Sequence, residues 1–555
     1  MAKQKQKQEG KSLAGKTIAP RQKINFAFLF IAVVATLIIY YPSLKNGLTN
    51  WDDQEYITNN PHIKGPAGDN LSYHFKNYHM GNYHPLTMIS LNLDAKEPLD
   101  PAPFHFTNYL LHVFNVGLVF LFVFLLLQNN IAALISALLF GLHPMHVESV
   151  AWASERKDVL YAFFFLGALC SYTYSLAHEK EKLKWNVITT LLFILSILSK
   201  GQAVVLPVLF ILIDRLEGKK TNTSSFISKI HWFALSLIFG VVAIKAQHSI
   251  NAIQDTGTYP FSDRIVFAGY GIAAYLYKLF VPVDLSCFYP FPQKVNGFYP
   301  AIYYFAPAVV SGIALLVWFF GRKNKYLVFA CLFFLASISI VLQLLPVGGA
   351  VIADRYTYIP YLGFFILLGK ICADGFEEIK TGNNTYRTIT GTGKFLIPVL
   401  VLIFSVLTWQ RIAVWKDSIT LWNDCIGNGH PSTKAYQNRG KILQDSAQAT
   451  KDPKLMDLSI ADFNEALHLT PTFAEGYYNR GLAYFYKKDY AHAIDDYTQA
   501  IQNDPSLAVA WHNRAGTYFT VGKYNEALHD ALEAQRLGYA VDPKFIEAIK
   551  QAGGK

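Results

Sequence analysis

The sequence predicts an all-α protein in two parts, a polytopic membrane domain followed by a helical-repeat domain. Three observations carry this. Of 555 residues, 52% are hydrophobic and 16% charged, against roughly 25% charged in ordinary soluble domains. Apolar runs recur from residue 24 to residue 414, near the length of about 20 residues that crosses a hydrocarbon layer of about 30 Å as a helix. Beyond Trp415 the composition turns polar and a self-similar pattern appears with a 34-residue period. The runs lack the alternation of barrel strands.

Residues 1–23 form a basic tail, with Lys3, Lys5, Lys7, Lys11, Lys16, Arg21 and Lys23 against Glu9. Such a flank holds the N-terminus in the cytoplasm. The first run, Ile24 to Tyr41, has no small-residue cleavage site and ends in Tyr40-Tyr41-Pro42, which reads as an anchor rather than a removed signal. A polar segment, 42–103, follows and is long for a loop, a mark of function. Eleven further runs lie near Phe106–Leu127, Ile131–Val150, Val159–Ala177, Trp185–Leu198, Ala203–Leu216, Ile230–Ala246, Ile265–Val283, Ile302–Phe320, Tyr326–Leu345, Tyr356–Ala373 and Phe395–Val414. The Lys/Arg-bearing loops 178–184, 217–229 and 321–325 share the cytoplasmic side only if one run between the last two does not cross. Ile265 to Val283, interrupted by Tyr277-Lys278 and Pro282, is the one excluded. The expectation is eleven crossings within 24–414, with the repeats outside the cytoplasm.

The net charge of +10 is therefore topological. The basic residues sit in short loops and form no patch with interleaved aromatics, which excludes a nucleic-acid partner. The five cysteines are scattered without C-x-x-C spacing and imply neither a disulfide framework nor a zinc site.

In the C-terminal part, 415–555, Tyr477, Gly481, Tyr484, Ala493, Tyr497 and Pro505 fit the tetratricopeptide pattern. The positions recur 34 residues later at Trp511, Ala515, Tyr518, Ala527 and Ala531, and earlier at Tyr436, Gly440, Phe463, Ala466 and Pro471 with a seven-residue insertion. Small residues admit close helix pairs and aromatics fill between them. Residues Asp542 to Ile549 read as a capping helix. Such arrays present a concave surface to a peptide or partner protein; alternatively they brace the membrane domain.

Four polar clusters lie at the ends of runs that the topology places on one side. They are Asp52-Asp53-Gln54-Glu55; His143-Pro144-Met145-His146-Val147-Glu148 continuing to Ser154-Glu155-Arg156-Lys157-Asp158; Ser199-Lys200-Gly201-Gln202; and Asp354-Arg355-Tyr356. Ionisable groups near span ends are functional candidates. Carboxylates with fixed cations suit transfer of a group from a lipid phosphate: Arg and Lys neutralise charge on the leaving phosphate, and a carboxylate takes the proton of an attacking hydroxyl. Asp52 and Asp53 are adjacent and point apart, so at most one is the base. His143 and His146 with Glu148 have the spacing of metal ligands and equally that of polar packing beside Pro144. Arg156 and Lys157 read alternatively as solvated loop charges, and Arg355 as a partner of Asp354. His105, Asn108, His112 and Asn115 form a stripe suited to interhelical hydrogen bonding.

In these residues the chain resembles the tetratricopeptide-containing transmembrane O-mannosyltransferases. The matching pieces are Trp51-Asp52-Asp53 with Asn60-Pro61, Tyr83-His84-Pro85-Leu86-Thr87, Phe104-His105-Phe106-Thr107-Asn108 with His112, the stretch Leu139 to Glu148, Ser199-Lys200-Gly201-Gln202, Ala353-Asp354-Arg355-Tyr356, and the repeats. The resemblance implies a glycosyltransferase C-type fold and a polyprenyl-phosphate sugar as donor, with divalent metal left open. It implies inverting transfer of a mannose-like sugar to a hydroxyl of a protein or glycan, with the repeats recruiting acceptor or partner. By the same carry-over Asp52 or Asp53 is the base, and Arg355, Arg156, Lys200 and Lys157 contact the donor phosphate. Glu55, His84, His143, His146, Glu148 and Asp354 complete the candidate set. Animal members commonly carry Arg where this chain has His84, and more repeats. That departure points to a bacterial member in the inner membrane with periplasmic repeats; a eukaryotic member would sit in the endoplasmic reticulum membrane. The competing reading is a non-enzymatic membrane scaffold.

Overall fold

The computed structural model describes residues 22–220, 222–250, 259–345, 347–381 and 387–553. The basic tail apart from Gln22 and Lys23 lies outside them. Helix α1 (Phe26–Tyr40) leads into the polar segment, which is not a bare loop. It carries short helices from Tyr41 to Ile63, then α2 (Ala67–Lys76) and α3 (Pro85–Asp94). The membrane domain continues with α4 (Ala102–Leu127), α5 (Asn130–Leu142), α6 (Val147–Ala151), α7 (Arg156–Ala177), α8 (Lys182–Ser199), α9 (Leu206–Leu216), α10 (Thr223–Ile227), α11 (Ile230–His248), α12 (Phe261–Lys278), α13 (Ala301–Leu316), α14 (Lys325–Ile338), α15 (Leu362–Thr381) and α16 (Arg387–Val414). Two short strands, β1 (Tyr289–Pro290) and β2 (Ala350–Ile352), pair antiparallel. The repeat domain holds α17 (Ser418–Gly427), α18 (Thr433–Thr450), α19 (Pro453–Leu469), α20 (Ala474–Tyr486), α21 (Tyr490–Asn503), α22 (Ala508–Thr520), α23 (Tyr524–Arg536) and α24 (Pro543–Gln551).

Among the described residues, seven helices are long and apolar enough to span a membrane. The pair Asn130–Leu142 and Pro144–Ala151 forms an eighth candidate, bent by 55°. The proline after His143 removes a backbone donor and breaks the helix there. Helices α9, α14 and α15 occupy three further apolar runs, while the run assigned as non-crossing forms α12, which is not among the span-like helices. Asn129 starts α5 by accepting the N–H groups of Ile131 and Ala132, an N-cap that satisfies two orphan donors. Close packing of α5 on α15 depends on Gly369, where a Cβ would lie 2.5 Å from Ser136 Oγ and 2.6 Å from the Ala132 carbonyl oxygen.

The repeats pair as α18/α19, α20/α21 and α22/α23, with α24 against α23. The insertion lengthens the first pair, to 18 and 17 residues. Each pair is clasped by a two-pronged ion pair, Arg439 to Asp462, Arg480 to Asp496 and Arg514 to Asp530, at 2.6 to 3.0 Å. The fork geometry fixes register as well as charge. Helix α17 joins the two domains, and through it the repeats dock on the polar segment.

A candidate active site between the acidic turn and three cations

The acidic turn is anchored from both domains. Asn50 donates its backbone N–H to Ser418 Oγ at 2.9 Å and its amide to the Asn438 carbonyl at 2.9 Å, and accepts Trp422 Nε1–H at 2.7 Å. Asp53 is 1% exposed. Its Oδ2 accepts the Thr49 N–H at 2.7 Å and the Thr49 hydroxyl at 3.0 Å, while Oδ1 accepts the Ser154 N–H at 2.9 Å. Asp53 thus ties the polar segment to the entrance of α7. Asp52 points elsewhere: half-buried, its carboxylate accepts no hydrogen bond among the described residues, and its charge is felt by Lys157 and Lys434.

Burial holds the Asp53 carboxyl up at about 6, against the opposing hydrogen bonds from Thr49 and Ser154. A carboxyl raised above its unfolded value of 3.8 binds its proton more readily when folded, so its stabilising contribution is full only below that value and is lost as pH rises through about 6. The unfolding free energy of wild type minus that of Asp53→Asn is therefore expected to be about 2 kcal/mol larger at pH 4 than at pH 7, at about 1.4 kcal/mol per pKa unit. Denaturation of both proteins in detergent across that range checks it; parallel curves would refute the assignment.

Three cations converge on Glu155, itself fully buried. Lys157 Nζ lies 3.1 Å, Arg355 Nε 3.3 Å and Lys200 Nζ 3.8 Å from its oxygens. Lys200 also pairs with Asp158. Arg355 reaches Glu148 at 2.5 Å, and Glu148 accepts the Arg355 backbone N–H at 2.9 Å. The three cationic side chains keep 10%, 14% and 17% of their surface exposed for Lys157, Lys200 and Arg355. Lys157 also sits 4.7 Å from the Tyr56 ring centroid, and Arg355 5.5 Å from that of Trp152. The four sequence clusters meet here. Beside them Trp51 Nε1, Trp152 Nε1 and His84 Nε2 are buried without a hydrogen-bond partner among the described residues. Burial first, then the charge of Lys157, keeps His84 well below the ordinary imidazole range, so it is neutral at physiological pH.

Other candidates stand apart. Arg156 is completely buried and spends its guanidinium on Asn108, Ser90, Asp94 and the Phe104 carbonyl; it is not a solvated loop charge. Asp354 does not pair with Arg355 but accepts the Tyr289 hydroxyl at 2.7 Å, because Glu148 already occupies the guanidinium. His143 contacts the Leu279 carbonyl at 3.1 Å and accepts the Met145 N–H; His146 contacts the Phe140 carbonyl at 2.8 Å. With Glu148 turned to Arg355, this trio does not assemble as a metal site, and no group of three or more His, Cys, Asp or Glu among the described residues is placed to hold a metal ion. Glu55 is exposed at the rim. The stripe on α4 is interhelical: Asn108 donates to the Trp152 carbonyl, His112 contacts the Tyr358 hydroxyl and Asn115 donates to the Val159 carbonyl.

Lys434, on the first turn of α18, carries no signal in the sequence that sets it apart from a solvated helix lysine. Its Nζ lies 4.3 Å from the Trp51 ring centroid. Desolvation pulls it below the ordinary lysine range, and Asp52 opposes the shift. Only the fold brings a repeat-domain cation to the acidic turn, some 380 residues away in sequence.

Residues 474–507 match the family described as Tetratricopeptide repeat. The human protein O-mannosyl-transferase TMTC3 is 24% identical over 445 residues, covering 73% of this chain and 46% of that protein. The Caenorhabditis elegans protein O-mannosyl-transferase F38B6.6 is 26% identical over 475 residues, covering 80% of this chain and 63% of its own. Over most of its length the chain is thus similar to the tetratricopeptide-containing transmembrane O-mannosyltransferases. The chain spans about half the length of the first of those relatives. Among solved structures, the Archaeoglobus fulgidus oligosaccharyltransferase tethered with an acceptor peptide aligns at 14% identity over 78% of this chain and 58% of its own, with a TM-score of 0.37.

Proposed function

We propose that the protein is an inverting glycosyltransferase that moves a mannose-like sugar from a polyprenyl-phosphate donor to a hydroxyl of a protein or glycan, outside the cytoplasm. The observation that carries this is Asp52, a carboxylate that accepts no hydrogen bond among the described residues and whose charge acts on both Lys434 of the repeats and Lys157 of the cation group. The acceptor hydroxyl oxygen attacks the sugar C1 from the face opposite the phosphate while Asp52 takes its proton. The C1–O bond to phosphate breaks, and the electron pair leaves with polyprenyl phosphate. The second negative charge that develops on the phosphate is met by the three cations, in a site already dry enough to strengthen them. The orphaned donors of Trp51 and Trp152 and the neutral His84 offer polar contacts to the sugar. The repeats carry the acceptor or a partner protein past Lys434 to this point, in keeping with the names of the mannosyl-transferase relatives.

Donor binding alone separates this reading from a scaffold. Polyprenyl-phosphate mannose at 100 times its dissociation constant should stabilise the purified protein by about 2.7 kcal/mol, seen as a raised unfolding temperature, and polyprenol without phosphate should not. No shift with donor, together with no transfer to any acceptor, would sink the proposal. Lys434→Met should lower kcat/KM for acceptor about fivefold, the loss of one partly desolvated charge contact of about 1 kcal/mol, and leave donor-induced stabilisation unchanged. Equal kinetics would remove Lys434 from the site.

A further inference from the structure

Three consecutive helices have one end at the acidic turn and the other at a second polar feature. Helix α7 starts beside Lys157, α8 ends at Lys200, and α9 follows the hairpin after Lys200. From Lys157 to Tyr172 and Ser175 along α7 the distance is about 25 Å at 1.5 Å per residue, nearly the thickness of a hydrocarbon layer. There, between the far ends of α7, α8 and α9 and the start of α11, lies a cavity of about 330 Å³. Lys182, Lys219, Lys220 and Lys229 line it, with Asp214 the one acidic residue. Asp214 is already matched: Lys229 lies at 2.6 Å, and the Tyr172 hydroxyl donates to it at 2.9 Å. Neither Lys182 nor Lys220 has an acidic partner among the described residues. Lys182, Lys219 and Lys220 are exposed around its mouth, while the buried Lys229–Asp214 pair with Tyr172 and Trp232 forms its floor, so the ammonium groups face one shared hollow.

We propose that this cavity binds the phosphate-bearing head group of an anionic lipid in the leaflet opposite the acidic turn. Basic pockets between helix ends on the cytoplasmic side take such head groups, with roughly fivefold in affinity per lysine. The ligand chemistry, a phosphate mono- or diester, is shared with soluble phosphates, so the test includes both sources.

The full chain is reconstituted in discs of phosphatidylcholine with or without phosphatidylglycerol, and lipid retained after detergent transfer is counted by native mass spectrometry. Wild type should retain phosphatidylglycerol selectively. K182Q/K219Q/K220Q should weaken that retention about 100-fold, from the per-lysine factor above. K182R/K219R/K220R should keep it, which guards against loss through misfolding. K180Q/K184Q removes charge from the same loop without touching the cavity and should leave retention unchanged. Equal retention by wild type and the Gln triple would overturn the proposal, as would equal losses in the Gln triple and the K180Q/K184Q control. Stabilisation by sodium pyrophosphate in phosphatidylcholine discs, with none by phosphatidylglycerol, would assign the cavity to a soluble phosphate instead and overturn the lipid.

Discussion

Asp52→Asn is expected to lower sugar transfer by about 10²–10⁴-fold, the range of a lost general base, while the unfolding temperature and donor-induced stabilisation stay at wild-type values. The expectation follows from what the carboxylate touches. Asp52 accepts no structural hydrogen bond among the described residues, so an amide in its place leaves no neighbour unpaired and costs the fold little. Its neighbour behaves in the opposite way. In Asp53→Asn an NH2 group must face either the Ser154 N–H or the two Thr49 donors, and one buried donor set loses its acceptor. Leaving a buried polar group unsatisfied costs about 1–3 kcal/mol. Asp53→Asn should therefore lower stability first and activity through it, with activity recovering per folded molecule. Assays of initial rate normalised to folded protein separate the two. A variant Asp52→Asn that transfers at the wild-type rate would remove Asp52 as base.

The pair shows why the sequence resolves some of this site and not the rest. Each cluster is a contiguous string of polar residues at the end of an apolar run, so its presence is readable from hydropathy. The repeats are readable because the Tyr, Gly and Ala positions recur at a fixed interval. Choosing between Asp52 and Asp53 needs Ser154, about a hundred residues on, and that contact leaves no local pattern. The Arg355 partner is of the same kind: adjacency favours Asp354, whereas the bend after His143 delivers Glu148. The polar segment 42–103 reads as a loop because Asn, His and Pro interrupt it, yet the helices within it pack around Tyr56, Ile57, Met88 and Leu91. Lys434 is farthest from legibility, since a lysine on the first turn of a repeat helix is what any solvated helix shows.

Arg156→Ala is expected to destabilise the membrane domain by about 3–5 kcal/mol, the cost of breaking a buried ion pair by removing one member. The guanidinium is wholly buried, with Nη2 at 2.6 Å from Asp94 and 2.9 Å from the Phe104 carbonyl, Nη1 at 2.6 Å from Ser90 Oγ, and Nε at 2.5 Å from Asn108. These partners lie on α3 and α4, so one side chain of α7 holds the polar segment against the first helices of the bundle. Removing it takes the charge partner from Asp94, which keeps only the Thr107 hydroxyl, and loosens α3, which also carries Thr87, bonded to the Ser199 carbonyl next to Lys200. Lysine restores the charge but offers a point donor in place of a planar fork, so Arg156→Lys should recover only part of the loss. Because no guanidinium nitrogen is left over, donor affinity of the folded fraction should be unchanged in Arg156→Lys, while Arg355→Lys should weaken the donor and leave stability nearer wild type. The contrast is measured by unfolding temperature against donor titration in the same detergent. An Arg156→Ala protein with wild-type stability and lost donor binding would transfer Arg156 back to the phosphate and leave the anchoring of α3 to Thr87.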